Sequence, residues 1–204
     1  MRNSRGRALW ALLLLAGLAG PAMAEGDVVS YIEPKNANNP APAVTLNTFQ
    51  RFEIQPVTMD APYAGQEANE APKASIQANL DLLAQPLLAQ WNAKPAGESA
   101  RTLKIEPAIR HIRFISGGKR FWGGAFAGGS AVLMTVKLSD ATTGEVIAEP
   151  EFYQHANKMG AAWSFGATDK AMLVRVAAMV ADYLQKNYDS AVGGSTTVAT
   201  DVKF

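Results

Sequence analysis

Apolar residues recur along the chain with two periods, and each period predicts one kind of element. Alternations or short runs of apolar residues predict strands at 46–59, 102–114, 131–138 and 146–153. Spacings of three and four residues predict two helices, one from an N-cap at Ser75 to Trp91 and one from an N-cap at Thr168. Pro86 lies inside the first helix and has no amide hydrogen, so we expect it to kink or restart that helix.

The order of these elements predicts the fold class. A helix between two strands of one sheet requires the strands to be parallel, whereas a tight turn joins antiparallel strands. The order β-α-β-β-β-α therefore predicts an α+β domain, in which a mixed sheet of about four strands carries both helices on one face. In the last helix we expect an apolar stripe to face the sheet, with Arg175, Asp182 and Lys186 outside.

The sequence DATTGE, residues 140–145, predicts a hairpin turn between the third and fourth strands. Asp140 can accept backbone N–H groups, Thr143 lies inside the turn, and Gly144 can take a positive φ. These three are the predicted structural turn residues.

Residues 1–24 predict a Sec-type signal peptide. A basic head is followed by an apolar core and then by small residues, so we expect cleavage between Ala24 and Glu25. No cysteine follows the apolar core, and the sequence therefore predicts a periplasmic protein that is not a lipoprotein.

Composition divides the rest of the chain into three parts. Residues 25–45 are rich in Pro and Asn, and we expect a disordered or extended arm there. Residues 46–190 are expected to form a single α+β domain, and residues 191–204 a tail or an added edge strand.

Charge and cysteine content exclude several classes of protein. The chain has 19 Lys and Arg against 18 Asp and Glu, and residues 1–24 contain three of the basic residues and none of the acidic ones. The remainder, with 16 basic against 18 acidic residues, is nearly neutral, which argues against binding to nucleic acid. The absence of cysteine excludes thiol catalysis and thiolate metal sites.

The stretch ISGGKRFWGGAFAGGSAVLMTV, residues 115–136, joins the second and third strands. It fails the phosphate-loop pattern, because Arg113 stands in place of the first glycine and Arg120 in place of the Ser or Thr that follows the lysine. We therefore expect no cofactor. The cations and rings predict a contact loop instead, formed by Lys119, Arg120, Phe121, Trp122 and Phe126. In an alternative interpretation, these rings fold back over the sheet face that lacks helices.

Two further groups of side chains suggest chemistry. Arg110 and Arg113 precede the cations of the predicted contact loop, which favours an anionic contact or, alternatively, a solvated strand end. His111 and His155 have no partner at metal-ligand spacing, so no metal site is predicted. A carboxylate, Glu149 or Glu151, shares a face with His155 only if the fourth strand is regular.

The sequence from about Thr48 to Tyr188, and most strongly from Gly117 to Ile147, resembles domain-of-unknown-function family 4410, a family of uncharacterised bacterial envelope proteins. The resemblance rests on a glycine step before Arg120, on the glycine-rich run that follows it, and on the Asp-x-x-Thr-Gly turn at 140–144. The layout is more distantly similar to the amino-terminal domain of the Tol-system propeller protein, to the periplasmic domain of the curli secretion channel and to lipoprotein activators of cell-wall synthases. These resemblances imply an interaction or assembly module.

The sequence favours an exported, non-catalytic protein that binds an envelope protein, a cell-wall polymer or a lipid headgroup, with peripheral contact to a membrane. One alternative is a subunit of an outer-membrane pore or secretion assembly, in which residues 121–136 contribute a membrane-facing hairpin. Another is a small periplasmic enzyme that uses His111 or His155 with a nearby carboxylate.

Overall fold

A computed structural model describes residues 33–97, 99–114, 130–156 and 167–198. The helices are α1 (Glu67–Leu83), α2 (Gln85–Asn92) and α3 (Ala167–Asp189), and a 3-10 turn spans Leu46–Thr48. The strands are β1 (Asn38–Asn39), β2 (Arg51–Ile54), β3 (Thr58–Met59), β4 (Thr102–Arg113), β5 (Ala131–Asp140), β6 (Val146–Ala148), β7 (Glu151–His155) and β8 (Gly194–Ser195).

Six of these strands form one mixed sheet. Its order is β2–β4–β5–β6, with β3 also paired to β4 and β7 also paired to β5. β2 and β3 run parallel to β4, whereas β4, β6 and β7 run antiparallel to β5. The predicted α+β class with a mixed sheet is thereby confirmed. The described sheet has more strands than expected because the first and fourth predicted strands are interrupted, near Pro56 and at Pro150 respectively.

The helices pack on one face of the sheet, which we call the helix-covered face. Alternate residues of β4, β5 and β7 point into this layer and are fully or nearly fully buried, among them Leu103, Ile105, Ile109, Met134, Leu138 and Phe152. They meet the buried stripes of the helices, which include Ile76, Leu80, Leu88, Met172, Val176 and Tyr183. Burial of each such side chain stabilises the fold by about 1.5–3 kcal/mol, so this layer is the core.

The opposite face of the sheet, which we call the helix-free face, has a separate small cluster of Ala131, Leu133 and Tyr153. A β-bulge in β4 determines which side chains point there. Ile109 pairs with Met134 and His111 pairs with Leu133, so Arg110 is an extra residue without a counterpart in β5. Because of the bulge, the alternation shifts by one position, and Arg110 and His111 both lie away from the helices.

The first helix begins earlier than the sequence predicts. It starts at Glu67 rather than after Ser75, and Pro72 lies inside it. Glu67 and Glu70 in its first turn favour a helix N-terminus through the helix dipole. The expected effect of Pro86 is confirmed, since α1 ends at Leu83 and α2 restarts at Gln85 with the proline in its first turn.

The last helix has the predicted apolar stripe. Of the three residues expected to be exposed, two are exposed and one is buried. Asp182 and Lys186 form an exposed ion pair at 2.7 Å. Arg175, however, is buried, and its Nε donates to Gln154 Oε1 at 2.9 Å on the helix-covered face. The expectation of an exposed Arg175 was wrong because Gln154 of β7 supplies a buried acceptor that helical periodicity does not reveal.

Both ends of the described chain lie along the outer edge of β6 and β7. β1 pairs with β8, the Ala43 amide donates to Ile147 O at 2.9 Å, and the Tyr153 amide donates to Thr196 O at 2.7 Å. Residues 33–45 therefore lie hydrogen-bonded along the edge of the sheet, as in the extended alternative for this part of the arm. Its contacts are hydrogen bonds of backbone and amide groups, which a composition poor in large apolar residues does not indicate.

The segment between β5 and β6 is a tight turn. Asp140 Oδ1 accepts the amides of Thr142 and Thr143 at 2.8 and 3.1 Å, and the Gly144 amide donates to Asp140 O at 2.8 Å. Gly144 has φ +74°. The Thr143 amide, the Arg101 side chain at 2.8 Å and the Thr142 amide, in this order, hold the pKa of the Asp140 carboxyl below its usual value.

Candidate binding groove

A polar groove crosses the helix-free face beside the outer edge of β7. Its floor is formed by residues of β5, one wall by Arg110 of β4, and the other wall by the chain end at 35–40 with Thr196. The groove has a volume of about 510 Å³, which lies in the range of small-molecule binding sites. We call it the binding groove.

The floor follows from the alternation of side chains along strands. Leu133 and Thr135 of β5 point to the helix-free face because Val132, Met134 and Val136 occupy the core side. β7 is antiparallel to β5 and pairs Glu151 with Thr135. The sheet therefore places one apolar and two polar side chains side by side on a rigid surface.

Arg110 forms the first wall and is held by three hydrogen bonds. Its Nε donates to Thr135 Oγ1 at 2.7 Å, one terminal nitrogen donates to Asp60 at 2.8 Å, and the other donates to Glu149 at 3.2 Å. The side chain is 41% exposed. The two carboxylates, with Asp60 contributing most, raise the pKa of Arg110. The guanidinium is thus fixed in orientation and still reachable from solvent.

The second wall is built from the chain end at residues 35–40. The Asn39 side chain is buried and pairs with the backbone of Glu151, donating to its carbonyl and accepting its amide, both at 2.7 Å. Through these two bonds Asn39 takes the place of a neighbouring strand at the edge of β7. The Glu151 carboxylate accepts the Lys35 amide at 3.0 Å and lies 3.6 Å from Lys35 Nζ.

Thr196 completes this wall from the other end of the chain. Its hydroxyl lies 2.8 Å from both Asn36 O and Ala37 O, and its backbone carbonyl accepts the Tyr153 amide. The two ends of the described chain are therefore joined to each other and to β7 at the rim of the groove.

The charges that line the groove are balanced. Arg110 and Lys35 are opposed by Glu149 and Glu151, and each cation is paired with a carboxylate. The four charges in the lining therefore sum to zero, and Asp60, which binds Arg110 from outside the lining, adds one negative charge beside that wall. Apolar surface in the groove comes from the exposed Pro40, because Leu133 is only 6% exposed.

His111 lies on the same face, next to Leu133 in the sheet. Its Nδ1 is hydrogen-bonded to the Tyr63 hydroxyl, and the two rings are edge to face at 5.0 Å. Burial, and secondly the charge of Arg113, lower the pKa of His111, so the neutral imidazole is favoured.

His155 ends β7, with its ring 5.8 Å from that of Tyr153. Glu151 is on the same face, but residues four positions apart on a strand are separated by about 13 Å. No group of three or more His, Asp or Glu side chains within the described ranges is arranged to hold a metal ion. The histidine-dependent enzyme therefore stays an untested alternative.

The candidate contact loop, Lys119, Arg120, Phe121, Trp122 and Phe126, lies outside the described residues, as do Ala24 and Glu25. Of the hypothetical membrane-facing hairpin, residues 131–136 are described, and they form the buried central strand β5. This part therefore belongs to the buried sheet, paired with β4, rather than to a membrane-facing hairpin. Among the described helices, none is long and apolar enough to cross a membrane.

Sequence reasoning missed most of the groove. Arg110 was placed in a cationic cluster, whereas it is bound by two carboxylates, and Asp60, Thr135 and Asn39 were not singled out. One signal was available in the sequence: the apolar alternation of β4 reaches Ile109 and resumes at Ile112, because His111 occupies the next position of the alternation. Such a change of phase indicates a bulge, and bulges commonly re-aim side chains beside functional sites.

No known family model and no curated protein matches this chain. The resemblance to domain-of-unknown-function family 4410 and the more distant one to Tol and curli components therefore stay predictions.

The solved structures to which the chain is similar at low identity include the following three bacterial proteins. The PelC dodecamer from Paraburkholderia phytofirmans is 13% identical, with 69% of this chain and 92% of that chain covered and a TM-score of 0.34. A Xanthomonas campestris protein of family DUF330 is 14% identical, with 72% and 90% covered and a TM-score of 0.37. A minor lipoprotein from Acinetobacter baumannii is 9% identical, with 72% and 99% covered and a TM-score of 0.34. At these scores the likenesses carry no argument about function.

Proposed function

We propose that this protein is a non-catalytic envelope protein that binds another envelope component through the binding groove. The observation that carries the proposal is the fixed orientation of Arg110, whose three hydrogen bonds prepare a half-exposed guanidinium at the wall of a groove. A side chain that is already ordered loses little conformational entropy when a ligand binds, which favours recognition.

The location of the groove supports the same function. It lies on the helix-free face, where ligand contact does not disturb the core. Both ends of the described chain are fixed at its rim by hydrogen bonds that span more than a hundred residues of sequence. Such closure produces a rigid rim at the edge of a sheet, and rigid elements hold binding groups more precisely than loops do.

Photo-cross-linking in the native cell envelope tests this proposal. A photoreactive amino acid at Asn36, an exposed residue of the groove wall, is expected to give adducts with an envelope component. The same amino acid at Leu82, which is 69% exposed on α1, is the matched control and should give few adducts. Equal adduct patterns at both positions, or none at either, would contradict binding through the groove.

Export is part of the proposal and is tested separately. We expect the mature chain to begin at Glu25 and to carry no lipid, as the signal-peptide pattern and the absence of cysteine indicate. Intact-mass measurement of the protein from osmotic-shock fluid decides both points. A retained basic head or a lipid-sized mass addition would disprove this assignment.

A further inference from the structure

We propose that the binding groove takes an uncharged, polyhydroxylated ligand, namely a segment of a neutral glycan. This inference rests on the proposed function, because it names the ligand class for the same groove. Three observations carry it: the pairing of every charge in the lining, the hydrogen-bonding groups that remain available, and the exposed apolar surface of Pro40.

The balance of charge disfavours charged ligands. An anion near Arg110 would also meet Glu149, which lies 3.2 Å from the guanidinium and is 49% exposed. A cation near Glu151 would meet Lys35, whose side chain is 85% exposed. Each existing ion pair would have to be weakened to accept a formal charge, and like charges at these distances repel. An uncharged ligand leaves both ion pairs intact.

The groups on the walls retain capacity for hydrogen bonds. A guanidinium has five N–H donors, of which Arg110 uses three, and each carboxylate has further lone pairs beyond those used in the ion pairs. These planar groups can donate to and accept from neighbouring hydroxyls at the same time. Hydroxyls are both donors and acceptors, so a polyol matches a groove whose lining contains both kinds of group.

The apolar part of the groove suits the C–H face of a sugar ring. Leu133 is only 6% exposed, but Pro40 is exposed at the wall and supplies an apolar surface on which a pyranose can pack. The groove volume of about 510 Å³ admits a short segment of a polymer rather than a whole macromolecule.

Three oligosaccharides of equal length but different charge test the ligand class. The N-acetylglucosamine tetramer is neutral, the glucosamine tetramer has the same backbone with cationic amines, and the galacturonic acid tetramer is anionic. With the mature chain in isothermal titration, we expect the neutral tetramer to bind at least about tenfold more tightly than either charged one. Amide resonances of Leu133 and Thr135 should shift on binding of the neutral tetramer.

A single substitution tests whether charge balance causes this preference. Glu149→Gln keeps the size of a half-exposed side chain but removes one of the two carboxylates in the lining, so that Arg110 keeps only Asp60, which lies outside the lining, as its ion-pair partner. We expect this variant to bind the anionic tetramer several-fold more tightly than the unchanged protein does. Glu145→Gln, in the exposed turn before β6 and outside the groove, is the matched control and should leave all three affinities unchanged. Thermal melts establish that both variants are folded.

The results separate this inference from the proposed function. A charged tetramer that binds as tightly as the neutral one, or Glu149→Gln with unchanged affinities, overturns the neutral-glycan inference. If no tetramer binds but the photoreactive group at Asn36 captures a protein specifically, the groove is a protein-binding site and only the inference fails. If no tetramer binds and Asn36 yields no specific adduct, both fail.

Discussion

The two faces of the sheet use the same kinds of side chain for different purposes, and two arginines show this most clearly. Arg175 on the helix-covered face is buried against Gln154, and burial lowers its pKa. Arg110 on the helix-free face is half-exposed between Asp60 and Glu149, and these carboxylates raise its pKa. The core therefore tolerates a charge, whereas the groove stabilises one.

This difference indicates that the helix-covered face stabilises the fold and that the helix-free face is available for contact with a ligand. The helix-covered face is an apolar layer between sheet and helices, and burial of its side chains stabilises the fold. Beyond the groove, the helix-free face has another chain of ion pairs, with Lys104 and Lys137 at 2.8 and 3.6 Å from Glu106. Exposed ion pairs contribute about 0–1 kcal/mol each, so this face can specialise in contact at little cost to stability.

The largest loss of folding stability is expected at Phe152, whose neighbour Glu151 points to the opposite face of the sheet. Phe152 is 1% exposed and packs edge to face against Tyr183 at 5.9 Å. We expect Phe152→Ala to lower the free energy of unfolding by about 3–5 kcal/mol through lost burial and a cavity. Glu151→Gln, one residue earlier on the helix-free face, should cost about 1 kcal/mol or less. Urea unfolding compares them, and equal losses would mean that the faces do not divide the roles as we infer.

The second-largest loss of folding stability is expected from a substitution at the rim of the groove. Gly144 and Gly193 have the same φ of +74°, but a Cβ at Gly144 would meet nothing within 4 Å, whereas one at Gly193 would lie 2.3 Å from Asn39 O. Gly144→Ala should cost about 1 kcal/mol from the positive φ alone. Gly193→Ala should cost about 1–3 kcal/mol more, because the backbone of the rim must move.

Thermal melting measures this difference, and proteolysis of the segment around Asn39 should accelerate only in Gly193→Ala. Equal melting temperatures of the two variants would show that the rim is not packed as tightly as its geometry indicates.

The fold could be predicted where apolar periodicity is strong. β4 spans Thr102–Arg113 against an expected 102–114, and α3 begins at Ala167, one residue before the expected N-cap. The start of α1 could not be predicted in this way. Its first eight residues include no large apolar side chain, and Pro72 is typical of a loop, although it is buried inside the helix. Tertiary packing, not local propensity, determines where this helix begins.

The groove could not be predicted because its members come from distant parts of the sequence. Asn39 and Glu151 are 112 residues apart, and Arg110 and Asp60 are 50 apart. A single sequence does not show which of its distant residues are in contact. Periodicity indicates which face a strand residue occupies, but it does not indicate which chain end closes the edge of the sheet.

A smaller effect is expected from the groove itself. Arg110→Gln removes two ion pairs and the bond to Thr135, but Asp60 and Glu149 are 39% and 49% exposed and become solvated. We therefore expect the free energy of unfolding to change by about 1 kcal/mol or less, while adducts from a photoreactive group at Asn36 decrease strongly. Lys186→Gln, which removes an exposed ion pair on α3, is the control and should leave the adducts unchanged. A large loss of stability in Arg110→Gln would show that Arg110 stabilises the fold, and the proposed difference between the two faces of the sheet would then be wrong.

The smallest effect should be a dependence of stability on pH that originates on the helix-free face. Burial holds the pKa of His111 below its ordinary value of 6.5, so the unfolded chain binds a proton more readily than the folded one. The associated stability is complete above pH 6.5 and is lost as the pH falls through the lower pKa of the folded state. Urea unfolding from about pH 8 to about pH 5.5 should therefore show stability that decreases on acidification. In His111→Gln, which cannot take up this proton, the decrease should be smaller, because the remaining dependence comes from other groups. If the variant follows the same curve as the unchanged protein, His111 is not held neutral by its surroundings, and the buried part of the helix-free face contributes no pH dependence of its own.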